Sequence, residues 1–187
     1  MFKRSEDRKD EAQLDQQKSE QFEARVLPHL GAAYNLARWL TRNDHDAEDV
    51  VQESYLRAYR FFDGFRGGDG RGWLLTIVRN TCYTWFQQNR PRELTASLDE
   101  AANNIKSEAP SPEAELIKSA DRKLITRALE ELPLEFREVL VLREMEGMSY
   151  KEIADITEIP LGTVMSRLAR ARKRLQQSLA PSVSREV

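Results

Sequence analysis

Three groups of side chains in this sequence have types and spacings that suit recognition rather than catalysis. The first is a basic run near the C-terminus, where Arg167, Arg170, Arg172, Lys173 and Arg174 follow one another with no acid between them. At about 100° per residue, Thr163, Ser166, Arg170 and Lys173 share the outer side of a helix, flanked by Arg167 and Arg174. Val164, Leu168, Ala171 and Leu175 share the inner side. Short hydroxyls and arginines on one helix face suit a major groove. Arginine pairs bidentately with a guanine edge, while lysine and hydroxyls hold phosphate.

The second group is Arg79, Tyr83, Phe86 and Arg90, at steps of four, three and four, with Asn80 beside Arg79. Rings stack unpaired bases and guanidinium groups meet phosphates, so this stripe suits a single strand. Arg66 and Arg71 lie just ahead, in the glycine-rich stretch Phe65 to Gly72. That stretch does not end in Gly-Lys-Ser/Thr, so it is no phosphate-binding P-loop. The third group is acidic: Asp44 to Glu53 holds five acids and no base, with Asp46, Asp49, Gln52 and Glu53 at its centre. A calcium loop is excluded because the sixth position from Asp44 is Asp49, where an EF-hand needs glycine. The residues alone leave two readings of this segment, a solvated helix start or a surface for a basic partner.

Composition narrows the rest. Two histidines and one cysteine, Cys82, offer no nucleophile–base set and no metal-ligand spacing, so no enzyme, cofactor or metal is expected. The lone thiol and the charged, non-apolar start predict a reduced, cytoplasmic chain. No aliphatic run exceeds Val139–Leu142, so no membrane span is expected. The net charge of −2 hides segregation. Residues 21–92 and 122–187 each carry +2, whereas residues 93–121 carry −5. Blocks of this kind mark interaction surfaces or solvated faces, which the total conceals.

The elements that must carry these groups read as helices throughout. Residues 1–20 are polar and predict a disordered or frayed tail. Val26, Leu30, Ala33, Leu36, Ala37 and Leu40 predict one helix face, and Ala47, Val50, Val51, Leu56, Tyr59 and Phe62 a second, capped by Asp44. Trp73 is expected to open a third helix, with Leu74, Ile77, Val78, Cys82 and Trp85 inward, ended near Asn89 by Pro91. Residues 93–115 read as a flexible acidic linker. Leu124, Ala128, Leu129 and Leu132 form another stripe, then Phe136 to Leu142 follow Pro133, with Gly147 at the helix end. Ser149 and Glu152 have capping-box spacing, ahead of a short helix, a tight turn at Thr157–Ile159 and a last helix to about Ser178. No stretch alternates long enough for a sheet. The expected fold is all-α. Two small helical domains (21–92 and 116–180) flank the linker, with tails at 1–20 and 181–187, and the second domain contains a helix–turn–helix.

The ordered motifs resemble the extracytoplasmic-function (group IV) sigma factors of bacterial RNA polymerase, in the sigma-70 family. The matching strings are Asp46-Ala47-Glu48-Asp49-Val50-Val51-Gln52-Glu53, Phe65-Arg66-Gly67, and Trp73-Leu74 through Arg79-Asn80-Thr81. Further along come Glu146 to Ala154 and Gly162-Thr163-Val164-Met165-Ser166-Arg167. The resemblance implies that Asp46, Asp49, Gln52 and Glu53 dock on the clamp of the largest subunit of core RNA polymerase. It implies that Arg66, Arg71, Arg79, Asn80, Tyr83, Phe86 and Arg90 melt and read the minus-ten element. It gives Thr163, Ser166, Arg167, Arg170, Lys173 and Arg174 the minus-35 element, and their domain a contact with the polymerase flap. The linker would thread toward the polymerase active site. Nucleoid association in the holoenzyme, a stress-response regulon and an anti-sigma factor partner also follow from the resemblance. Two departures stand out: Gly67–Gly72 is richer in glycine than the family's Phe-Arg-Gly-x-Ser, and Met165 stands where many members carry arginine or lysine. A stand-alone helix–turn–helix regulator that binds duplex DNA without polymerase is the alternative.

Overall fold

The computed structural model describes residues 3–93 and 123–183. Their chain order is α1 (Lys3–Val26), a 3-10 turn (Leu27–His29), α2 (Leu30–Thr41), α3 (Asp44–Phe61), a 3-10 turn (Phe62–Gly64) and α4 (Gly70–Glu93). After residues 94–122 come α5 (residues 123–130), α6 (Leu134–Leu140) running into a π turn (Val141–Met145), α7 (Tyr150–Thr157) and α8 (Leu161–Val183). No strand occurs among the described residues. Most of the expected linker lies outside them. The chain divides into two compact units, Met1–Cys82 and Tyr83–Val187, so the division falls inside α4.

In the first unit, the single helix expected from Val26 to Leu40 is two helices. Pro28 cannot donate to the ladder, and the chain takes a 3-10 turn at Leu27–His29 before α2 begins. Residues 1–20, for which the sequence leaves disorder or a frayed helix open, are helical from Lys3 onward. Phe22 of α1 is buried, with the rings of Tyr55, Tyr59 and Phe62 edge-on around it at 6.0, 5.2 and 5.3 Å. α3 is capped by Asn43, whose side chain accepts from the Asp46 N–H at 3.1 Å, so Asp44 sits one position inside. Its buried face is Ala47, Val50, Val51, Ser54 and Ala58. Leu56 (60 % exposed) turns outward and Tyr59 stays at the surface with its ring against Phe22, contrary to the pattern of large apolar side chains. α3 packs against α2. The Ser54 hydroxyl donates to the Val50 carbonyl at 2.6 Å, which satisfies it inside the core.

Helix α4 starts at Gly70, not Trp73, because Asp69 caps it. Its carboxylate oxygens accept from the N–H groups of Arg71 and Gly72 at 3.0 and 2.9 Å. Leu74, Leu75, Val78 and Cys82 are buried, while Ile77 and Trp85 are half-buried. The helix passes Pro91 to Glu93, since a proline in the last turn removes only one ladder bond there. Gly70 has a steric reason. A Cβ there would stand 2.6 Å from the Arg25 carbonyl oxygen of α1, a contact between two backbones that no rotamer relieves. Gly70→Ala is expected to destabilise the first unit by about 1–3 kcal/mol, read as a lowered midpoint in urea unfolding.

The second unit packs α6 and the π turn against α7 and α8. Its core holds Leu132, Phe136, Val139, Leu140, Leu142, Ile153, Ile156, Val164, Leu168 and Ala171. The inward residues expected on α8 are buried or, for Leu175, half-buried. Leu124 is exposed, against expectation. Arg137 is buried and donates from Nη1 to the Glu130 carbonyl at 2.8 Å, closing the turn from α5 to α6.

Candidate functional site

The helix–turn–helix is built from capped ends. Ser149 accepts from the Glu152 N–H at 3.2 Å, and the Glu152 carboxylate accepts from the Ser149 N–H at 2.7 Å, the reciprocal pair that starts α7. Gly147, at φ +66°, turns the chain out of the π turn. Glu158 takes the left-handed conformation (φ 56°), and its N–H bonds the Ala154 carbonyl, so α7 ends at once. The Pro160 carbonyl then accepts from Thr163 and Val164, opening α8. Ser149→Ala is expected to cost about 1 kcal/mol, measured as a drop in the thermal midpoint.

On α8, Ser166, Arg170 and Lys173 are exposed, and Thr163 and Arg167 are half-buried at the edge of that face. The Ser166 hydroxyl donates back to the Thr163 carbonyl at 3.0 Å, which leaves its oxygen lone pairs outward. The basic run does not act as one block. Arg172 reaches back to the Glu144 carboxylate of the π turn at 2.7 Å. That hydrogen bond, seconded by one to Tyr150, holds the Arg172 guanidinium above its ordinary pKa. Arg174 stands over the Phe136 ring at 5.1 Å. The sequence pattern leaves Arg172 without a role and sets Arg174 beside Arg167 as a flank of the outer face. The π turn supplies further partners: Arg143 donates to the Met148 carbonyl at 2.7 Å and lies over the Tyr150 ring at 5.0 Å. A π turn carries one extra residue, and here it directs Arg143 and Glu144 to α7 and α8.

The α4 stripe is less uniform. Arg79 donates to its neighbour Asn80 at 3.1 Å, and Asn80 is exposed. Tyr83 and Phe86 are half-buried and meet edge-on at 6.4 Å. Within the second unit, the Tyr83 hydroxyl donates to the buried Glu138 carboxylate at 3.1 Å. Arg90 lies on α4, seven residues beyond Tyr83. In the loop, Phe65 stacks on Phe62 (5.7 Å, 22° between rings) and leans on Trp73 at 4.9 Å, so Phe65 anchors the loop while Arg66 stays exposed. Arg71 is half-buried in the first turn of α4.

On α3, Asp49, Gln52 and Glu53 are exposed and Asp46 is half-buried. Glu53 pairs with Arg57 at 2.7 Å, an exposed pair of small worth. Arg38 of α2 pairs with Asp44, tying the two helices at the acidic end. Sequence reasoning missed what lies beside this face: an apolar trough of about 520 Å³ walled by Leu30, Tyr34, Val51 and Tyr55, with Glu48 and Gln52 on its edge. Leu30 was placed in the core, yet it is 44 % exposed. The sequence carried no signal for the trough, since an aliphatic residue in an apolar stripe reads as core. Burial keeps the Tyr55 hydroxyl protonated above its ordinary range, and it donates to the Val26 carbonyl at 3.2 Å. The described residues hold no group of histidine, cysteine and acidic side chains that would bind a metal.

An all-helical protein in two parts, one bearing a helix–turn–helix, is the class that fold and faces define. Comparison with known proteins narrows it. The family pattern described as Sigma-70 region 2 matches residues 26–92, and that described as Sigma-70, region 4 matches residues 122–175. The chain is 38 % identical over 147 residues to the ECF RNA polymerase sigma-E factor of Salmonella typhimurium, across 75 % of this chain and 77 % of that one. It is 37 % identical over 155 residues to the ECF RNA polymerase sigma factor SigE of Mycolicibacterium smegmatis, across 83 % of this chain and 60 % of the relative's length. Among solved structures, it is similar to the sigma factor RpoE of Bartonella quintana, in complex with the anti-sigma factor NepR. That likeness has a TM-score of 0.67 and 32 % identity and covers 86 % of this chain and 97 % of that one. A second likeness is CnrH in complex with the cytosolic domain of CnrY, at a TM-score of 0.61 and 26 % identity, over 91 % and 94 % of the two chains. The chain belongs to the sigma-70 family of RNA polymerase sigma factors, in its extracytoplasmic-function (ECF) group.

Proposed function

We propose that this sigma factor docks on core RNA polymerase through α3, reads the minus-35 element with α8, and holds melted minus-ten bases with α4 and the loop before it. One observation carries the reading. The same chain presents an acidic face beside an apolar trough on α3 and a basic recognition helix, α8, behind the capped α7. A partner helix with apolar knobs and basic flanks fits the first. A major groove fits the second.

The charges then have a common sense. Asp49 and Glu53 repel DNA and attract a basic protein surface, so polymerase binding precedes promoter binding. Docking brings both DNA faces to one promoter, and the second contact becomes intramolecular. Unstacking a base costs a few kcal/mol, offset by stacking on rings worth about 1–3 kcal/mol per base. Arg79, Asn80, Phe86 and Arg66 supply the contacts, and Tyr83 must leave Glu138 to join them. The trough on α3 also suits an anti-sigma factor, which would compete with polymerase for the same apolar wall. No helix among the described residues is long and apolar enough to cross a membrane.

The test is transcription. Purified chain, core polymerase and a supercoiled promoter library are expected to give promoter-initiated transcripts that neither component gives alone. Tight binding to a palindromic duplex without polymerase, and no polymerase-dependent transcripts, would sink the proposal in favour of a stand-alone regulator.

A further inference from the structure

We propose that Met165, with Ala169 one turn on, reads the 5-methyl group of a thymine in the minus-35 major groove. This rests on the promoter reading above and deepens it, because the six residues that the resemblance gives to that element are all hydroxylic or basic. The exposed side of α8 carries two rows of side chains, each stepping four residues. Ser166 and Arg170 form the polar row. Leu161, Met165 and Ala169 form an apolar row beside it, which Lys173 ends.

Leu161 is 49 % exposed and Met165 52 %. Two large apolar side chains one turn apart, on a surface that is otherwise polar, differ from the single scattered exposures of an ordinary helix. They are not spare core, since Val164, Leu168 and Ala171 fill the inward side and are buried. Thr163 and Arg167 lie half-buried at the far edge of the polar row, so the side turned furthest outward runs between the two rows and not through Thr163. Gly162 opens this strip, and a Cβ there would meet nothing within 4 Å.

A surface of this make-up has a match in the duplex. In the major groove thymine alone of the four bases presents a methyl group, among the donors and acceptors that arginine and hydroxyls read. An apolar row beside Ser166 and Arg170 therefore meets methyl groups where the polar row meets base edges. The Met165 side chain suits this, being unbranched, with a polarizable thioether that follows an irregular surface. Ala169 is short enough to let the groove floor approach. Met165 stands where many members of the family carry arginine or lysine, so the contact belongs to this chain and exchanges a phosphate or guanine contact for a thymine.

The experiment selects promoters from a library randomised over the minus-35 element, with holoenzyme formed from wild type, Met165→Leu or Met165→Lys. Wild type and Met165→Leu are expected to enrich an A·T pair at one position that Met165→Lys no longer selects. Deoxyuridine in place of thymine at that position removes only the methyl group. It is expected to weaken the wild-type complex about fourfold, the worth of one buried carbon, and to leave the Met165→Lys complex unchanged. If a variant does not fold by circular dichroism, the deoxyuridine scan of wild type decides by itself. A selected element in which no thymine depends on its methyl group, or the same dependence in Met165→Lys, overturns this contact alone. Weaker retention of Met165→Lys on core polymerase, with the methyl dependence intact, makes the apolar row a protein contact and overturns it too. A wild-type holoenzyme that selects no element there overturns the promoter reading itself.

Discussion

Asp49→Lys combined with Glu53→Lys is expected to abolish retention of the chain on immobilised core polymerase, a loss of at least about a hundredfold in affinity. Each reversed charge at a close pair costs several kcal/mol when it faces a like charge. The fold should survive, for reasons specific to α3. Its buried face is Ala47, Val50, Val51, Ser54 and Ala58, which the two substitutions leave untouched. Its N-cap, Asn43, and the first-turn acids Asp44 and Asp46 also remain, so the helix start keeps its stabilising charges. Glu53→Lys does place a cation beside Arg57, one helical turn on, but both are at the surface and the cost is small. Circular dichroism should therefore match wild type while the pull-down fails. Retained binding at physiological salt would refute the docking role. Leu30→Glu gives an independent check, because a carboxylate in the trough should weaken docking without altering either DNA face.

What the sequence made legible was governed by local rules. The α7 capping box, the Gly147 turn and the inward stripe of α8 depend on residues within a turn or two of one another, and all appear as expected. Rules that depend on distant neighbours failed. On the α3 face Ala47, Val50, Val51 and Phe62 are buried as expected, but Leu56 and Tyr59 were misjudged because size was taken for burial, and Ser54 and Ala58 are buried in their stead. The helix across Val26 was misjudged because apolar spacing outweighed Pro28. The trough beside the acids could not be seen at all, since Leu30, Tyr34 and Tyr55 come together only when α2 lies on α3. In the basic run, spacing set Arg170 and Lys173 outward with Arg167 and Arg174 at their flanks, and gave Arg172 no role. Only the fold shows that Arg172 and Arg174 have partners on the π turn and α6.

That division yields the second large effect. Arg167→Ala with Arg170→Ala is expected to remove minus-35-dependent transcription. An arginine paired with a base edge discriminates by about 1–3 kcal/mol, so losing two lowers output from a two-element promoter by about a hundredfold or more. Thermal stability should stay within about 0.5 kcal/mol of wild type, as for surface changes away from packed features. Arg172→Ala with Arg174→Ala should behave in the opposite manner. It removes the Glu144 pair and the cover over Phe136, so it should loosen α8 against α6 and lower the unfolding midpoint. Its effect on transcripts should shrink when the assay is run well below that midpoint. Transcription from each pair of variants, set against its unfolding curve, therefore separates cations that read DNA from cations that hold the reading helix in place. Equal loss of transcripts at equal stability in both pairs would show that the whole basic run faces DNA, with Arg172 and Arg174 leaving Glu144 and Phe136 on binding.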